Sequence, residues 1–310
     1  MRRSLAIIAL LAFAPPASAG TGGVDVPPTN GPPTADGGGA VYKAPKKKRR
    51  KAPRAKRRAS RGPVLSSFAA RSTRLYLMGS PATVTFRIDG RTALRDVRLY
   101  LVPSGSRTAA STLKLGPLAR GTEHRIRVTG TENGVLAEGG YTVRVAAKDA
   151  RGRRLRRKAG ISSTATLSFL HHRFPVAGPF SWGGPDSRFG AGRKGHRHQG
   201  QDLAASEGTP VVAPRGGTVK AVQYQASGAG HYVVLKAAGE DRDYVFMHLK
   251  TGSIPVVEGQ SVRTGQRIGQ VGNTGRSFGA HLHFEVWTGG GWYSGGRPMD
   301  PLPLLKAWPR

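Results

Sequence analysis

Five residues toward the C-terminal end of the chain have the types and spacing for metal-assisted hydrolysis. His281 and His283 stand two apart in "HLHFEV". On a strand they share one face with Glu285, while Leu282, Phe284 and Val286 share the other. The apolar face needs only a core. The imidazole face carries ring nitrogens that must find partners. His198 and Asp202, in "HRHQGQDLA", form a second pair at i, i+4. A straight strand would put them on one face but roughly 13 Å apart, and Gly200 between them permits a bend that closes the gap. His248, in "YVFMHL", lies near the end of another strand-like run. A catalytic zinc site takes three protein ligands and leaves a fourth position for water. His198, Asp202 and one of the pair His281/His283 make such a set. The two histidines left over then suit a general base and a donor to a developing oxyanion.

The elements that must position these residues read as strands. Beyond "HHRFPVAGPFSWGG" come "TPVVAPRGGTVKAVQ", "HYVVLKA", "RDYVFMHL" and "GQRIGQVG", rich in β-branched residues and bounded by glycine. Helical periodicity is scarce, so residues 171–310 are expected to be an all-β domain. Upstream, "ATVTFRIDG", "VRLYLVPS", "EHRIRVTG", "GYTVRVAAKDARG" and "TATLSFL" alternate apolar with polar and are punctuated by turn residues. Strands at that spacing predict a β-sandwich over residues 64–170. "GGYTVRVAAKDARGRR" resembles the closing hairpin of immunoglobulin-like modules of bacterial surface proteins. No Ser/His/Asp set is evident there, so the module reads as a spacer or binding domain.

Composition bounds the rest. The chain has 310 residues, enough for two domains, and no cysteine. Disulfides, thiolate metal sites and cysteine nucleophiles are therefore excluded, and any metal rests on His and carboxylate. Residues 1–19, with Arg2 and Arg3, an apolar stretch and Ala17-Ser18-Ala19, read as a signal peptide. The expectation is a secreted or cell-envelope protein, with no membrane contact once the signal is removed. Residues 20–63 have the Gly, Pro and Lys/Arg bias of a disordered linker. Net charge is +32, with 49 Lys and Arg against 17 Asp and Glu. Much of the excess lies between Lys43 and Arg61, a block without acids that is expected to bind anionic polymers of the envelope. Binding of a specific nucleic acid would call for aromatics among the charges, and the block has none.

Residues 174–303 resemble the lysostaphin/LytM-type zinc endopeptidases of bacterial cell walls. "HQGQDLAASEGTPVVAPRGGTV" is similar to that family's HxGxD motif and the strands after it. "GQSVRTGQRIGQVGNTGRSFGAHLHFEV" is similar to its closing segment, "FPVAGPFSWGGPDSRFG" to its entry segment and "MDPLPLL" to its tail. The resemblance implies that His198, Asp202 and His283 bind one zinc ion per chain, and that His281 and His248 are the catalytic pair. It also implies a narrow groove on a largely antiparallel β-scaffold and cleavage of peptide cross-links in peptidoglycan; the chain is expected to be a monomer. A catalytically silent scaffold or activator of other wall hydrolases is the competing expectation, but such proteins typically lack one or more ligands. Three departures stand out. His231 occupies a position where the family often has Asn, "AAGEDRDYVFM" lacks the usual Gly-rich turn and Tyr, and His196 is an added histidine. His196 and His231 read as surface residues. Glu285 reads equally as a partner orienting a ligand or as a strand-end carboxylate.

Overall fold

The computed structural model describes residues 62–310. The expected signal peptide (1–19) and all but the last two residues of the expected linker (20–63) lie outside them. Among the described residues the architecture is almost wholly β, with one α-helix, Leu302–Ala307. No helix there is long and apolar enough to cross a membrane.

Residues 62–310 all lie within one compact unit, yet the apolar side chains gather into separate cores. The first belongs to two sheets. One orders Glu123–Val128, Ala82–Asp89, Val64–Arg71 and Arg156–Arg157; the other orders Arg74–Tyr76, Thr164–Leu170, Gly139–Asp149, Leu94–Pro103 and Ser111–Gly116. Alternation explains them. In Ala82–Asp89 every second residue (Ala82, Val84, Phe86, Ile88) is fully buried, and Leu99, Leu101, Val143 and Phe169 meet them from the other sheet.

The second core lies under a seven-stranded sheet. Its path runs Gln201–Ala204, His281–Thr288, Asp243–Leu249, Gly230–Ala237, Gly217–Gln225 and Ser261–Val262, with Arg297–Met299 added beside His281–Thr288. One face carries the main core, including Val233, Leu235, Tyr244, Phe246, Leu282, Phe284 and Val286. The opposite face carries a smaller apolar cluster of Tyr232, Val234, Val245 and Trp287. His281, His283 and Glu285 lie on that second face.

Polar contacts join the two halves. The backbone N–H of Thr264 donates to the Met78 carbonyl at 3.1 Å, and its hydroxyl donates to the Leu77 carbonyl. That hydroxyl accepts in turn from the Gly216 N–H at 2.8 Å. Arg74 donates to the carbonyl of Arg310 at 2.6 Å.

Candidate metal centre

Strand register brings the first two groups together. Gln201–Ala204 pairs antiparallel with His281–Thr288 so that Asp202 sits directly opposite His283. Asp202 Oδ1 lies 2.8 Å from His283 Nδ1. His198 arrives from the chain just before that strand, with Nε2 at 3.1 Å from Asp202 Oδ1 and 2.9 Å from His283 Nδ1. Gly200 makes the approach possible through space rather than through an unusual φ. A Cβ there would lie 2.5 Å from the Phe284 carbonyl oxygen and 2.9 Å from the His283 ring.

Hydrogen bonds at the far side of each ring decide which nitrogen faces inward. His198 donates from Nδ1 to the Arg188 carbonyl at 2.8 Å, leaving Nε2 as the inward lone pair. His283 is turned the other way. Its Nε2 bonds Glu285 Oε1 at 2.9 Å, and Glu285 Oε2 accepts from the Trp287 indole at 2.6 Å. Glu285 is 3% exposed, so its carboxylate is committed to those two donors. The carboxylate–imidazole pairing fixes the tautomer and increases ring basicity.

His198, Asp202 and His283 thus form a group that can hold a metal ion. Two imidazoles and one carboxylate are a zinc-type donor set, and ligand atoms around a tetrahedral zinc stand about 3.3 Å apart at the usual bond lengths. The spacings of 2.8–3.1 Å are close to that. The electrostatics agree. Burial works against the charge on Asp202, yet bonds from His198 and His283 outweigh it and hold the carboxyl well below its ordinary range. Burial likewise opposes a proton on His283, but Asp202 and Glu285 prevail and push it up to about 9. These groups are arranged to surround positive charge.

His248 reaches the site by breaking strand parity. It is even-numbered in a strand whose even residues Tyr244 and Phe246 enter the main core. The pairing of Gly230–Ala237 with Asp243–Leu249 shifts register between His231 and Val233, and His248 has φ of 60°. This bulge turns its ring to the opposite face. Nδ1 donates to the Thr274 carbonyl at 2.8 Å, and the ring lies 4.8 Å from that of His281. Burial, then the neighbouring His281 and His283, push its pKa down to about 4, so it stays neutral with Nε2 available as a base. His281 donates from Nδ1 to the Gly279 carbonyl at 2.8 Å and holds Nε2 at 3.7 Å from Asp202 Oδ1.

All five sequence candidates therefore line one groove of about 1250 Å³, whose walls also carry Arg193, Lys194, Arg276, Phe278 and Tyr293. His196 is exposed at its rim, whereas His231 packs at a tilt against Tyr224, ring centres 4.5 Å apart, outside it. Sequence reasoning missed Arg193, which donates to Asp202 Oδ2 at 3.4 Å and to the Asp186 carbonyl at 2.7 Å. It sits opposite His196 in the hairpin of Gly192–Arg193 with His196–Arg197, a pairing seen only in the fold.

Residues 196–301 match the model of peptidase family M23. A metalloprotease of Haemophilus influenzae without further characterisation is 41% identical over 135 residues, covering 44% of this chain and 26% of that protein. The peptidoglycan DD-endopeptidase ShyA of Vibrio cholerae is 41% identical over 117 residues, covering 36% and 25%. Lysostaphin of Staphylococcus simulans is 33% identical over 117 residues, covering 37% and 23%. The chain thus spans about a quarter of the length of each. The solved catalytic domain of lysostaphin from the same species is 29% identical, with TM-score 0.34, over 44% of this chain and 92% of that one.

Proposed function

Residues 196–301 are a domain of peptidase family M23, and from that premise we propose that this protein is a zinc-dependent metalloendopeptidase hydrolysing peptide cross-links of bacterial peptidoglycan. The observation that carries the reading is the convergence of His198 Nε2, Asp202 Oδ1 and His283 Nδ1 beside two further histidines whose Nδ1 atoms are already engaged. Relatives named as peptidoglycan DD-endopeptidases support the substrate. A zinc ion held by the three ligands supplies a Lewis acid and lowers the pKa of water. Glu285 holds His283 in the tautomer that presents Nδ1. His248 and His281 would hold or move protons at Nε2, one taking the proton of the attacking water and the other bonding the charge that develops on the scissile carbonyl.

The outer segments complete the proposal. Residues 1–19 direct export, Lys43 to Arg61 holds anionic envelope polymers, and residues 64–170 are an immunoglobulin-like module preceding the peptidase domain at 171–310. Mass spectrometry of fragments released from purified peptidoglycans of different cross-bridge type, alongside zinc analysis, tests the reading. A folded, zinc-loaded protein that releases no fragment from any of them is a scaffold or activator instead.

A further inference from the structure

A second concavity, of about 490 Å³, opens in the N-terminal half and shares no lining residue with the groove. Its rim carries Arg98, Lys148, Arg154, Arg156 and Arg157. Main-chain bonds place the last three. Arg156–Arg157 pairs in parallel with Val64–Leu65, and Lys148 bridges Arg154. The Arg156 N–H donates to the Pro63 carbonyl at 2.9 Å and that of Lys158 to the Leu65 carbonyl at 3.0 Å. The backbone is thereby held while the side chains of Arg154, Arg156 and Arg157 stay exposed.

Charge is not balanced within this cleft. Asp96 lines it too, but bonds Arg98 at 2.7 Å. Among the described residues, no carboxylate lies within ion-pair distance of Lys148, Arg154, Arg156 or Arg157. Arg154 to Arg157 span only about 10 Å of extended chain, close to the Debye length of about 8 Å at physiological salt, so these cations repel one another until an anion joins them. The chain that enters the described structure at Gly62 carries the Lys43–Arg61 run, and it enters at the lip of the cleft. A Cβ on Gly62 would lie 3.0 Å from the Arg154 carbonyl oxygen and 3.2 Å from Arg153 Cβ.

We propose that this cleft is a binding site for a linear phosphodiester polymer without bases, gripped by Arg154, Arg156, Arg157 and Lys148. Planar guanidinium forks match phosphate oxygens in pairs. Nucleic acid is disfavoured because stacking needs an open aromatic face. Among the described residues Tyr100 is the one aromatic lining the cleft, and the Arg144 guanidinium lies over its ring at 5.2 Å. The site goes beyond the peptidase reading and does not rest on it, since binding is measured without turnover.

The test is fluorescence anisotropy of a labelled glycerol-phosphate dodecamer with the full chain across a salt series. The variants are Arg154→Ser/Arg156→Ser/Arg157→Ser, Lys148→Ser alone, and a chain whose 43–61 Lys and Arg are all Ser. Each lost phosphate contact on a flexible strand lowers the slope of log K against log salt by about 0.7. The triple variant should therefore lose about 2 from the slope and Lys148→Ser about 0.7, with thermal unfolding unchanged. The 43–61 variant should keep salt-dependent binding. Wild-type slopes in the triple and Lys148 variants, or no binding by the 43–61 variant, would overturn the site. Tighter binding of a DNA or polyglutamate oligomer of equal charge would overturn the ligand.

Discussion

Replacing Glu285 by Gln keeps the side chain's shape and removes one of the two acceptors on which the proposed metal centre leans. Oε1 takes the His283 Nε2–H at 2.9 Å and Oε2 takes the Trp287 Nε1–H at 2.6 Å. An amide offers one acceptor and one donor, so whichever way it flips, one buried N–H faces another. An unmet buried donor costs about 1–3 kcal/mol, and the metal-free protein should lose stability of that order. The ligand itself is also weakened. Losing the carboxylate that orients a metal-binding imidazole typically costs 10–100-fold in metal affinity, or about 1.4–2.7 kcal/mol. The assay is competition for zinc against a fluorescent chelator at neutral pH. Trp287→Phe is the control, because it leaves the Glu285–His283 bond in place and should change zinc affinity only a few-fold. Zinc affinity in Glu285→Gln within twofold of the parent, or an equal loss in Trp287→Phe, would refute the orienting role.

His283→Ala should lose both zinc and turnover, whereas His281→Ala should keep zinc and lose about 10²–10⁴-fold in rate; zinc stoichiometry and turnover on folded variants decide between them, and the opposite pattern would exchange the roles. Glu240 has burial working against its charge, but bonds from His172 and Tyr244 and the Arg215 guanidinium hold its carboxyl at about 2. Its folded pKa is depressed, so its contribution is complete above an unfolded value near 4.5 and is lost as pH falls toward 2. That linkage is worth about 3 kcal/mol at most, so urea titrations from pH 5 to pH 2.5 should show a decline that Glu240→Gln flattens. An equally steep decline in the variant would assign the effect elsewhere. Gly200→Ala should cost at least about 2 kcal/mol and weaken zinc binding, since the new methyl meets the Phe284 carbonyl; an unchanged melting temperature would show that the strands part easily there.

Much of this site could be read before any coordinates. Parity in "HLHFEV" separates Leu282, Phe284 and Val286, all in the core, from His281, His283 and Glu285 on the other face. The strands read from "ATVTFRIDG", "TATLSFL" and "HYVVLKA" fall where expected. What was hidden depends on pairing between distant segments. Parity alone sends His248 into the core, and only a register shift against Gly230–Ala237 reverses it. Glu285 stayed ambiguous because its two donors come from neighbours on its own strand, a contact that burial settles and spacing does not. Sequence spacing makes Gly200 a place to bend, but its need is for room beside His283. The basic cleft joins Arg156–Arg157 to Val64–Leu65, a pairing across the whole first module that local pattern cannot announce.

The Thr264 hydroxyl, bonded at once to Leu77 and Gly216, has a mechanical consequence. With Thr264 N–H on Met78 and Arg74 on Arg310 as well, the C-terminal half is fastened to its neighbour by hydrogen bonds to main-chain carbonyls rather than swung on a loose hinge. An enzyme tethered by a flexible strap samples every bond within its radius, at an effective concentration set by strap length. One held by a stiff arm reaches only a thin shell at a fixed offset and angle from its foothold. On the proposed peptidase function and polymer site, cuts should then fall at a regular spacing from the polymer the first module grips, and lengthening the arm at residues 170–172 should blur that spacing before it changes the rate of cutting.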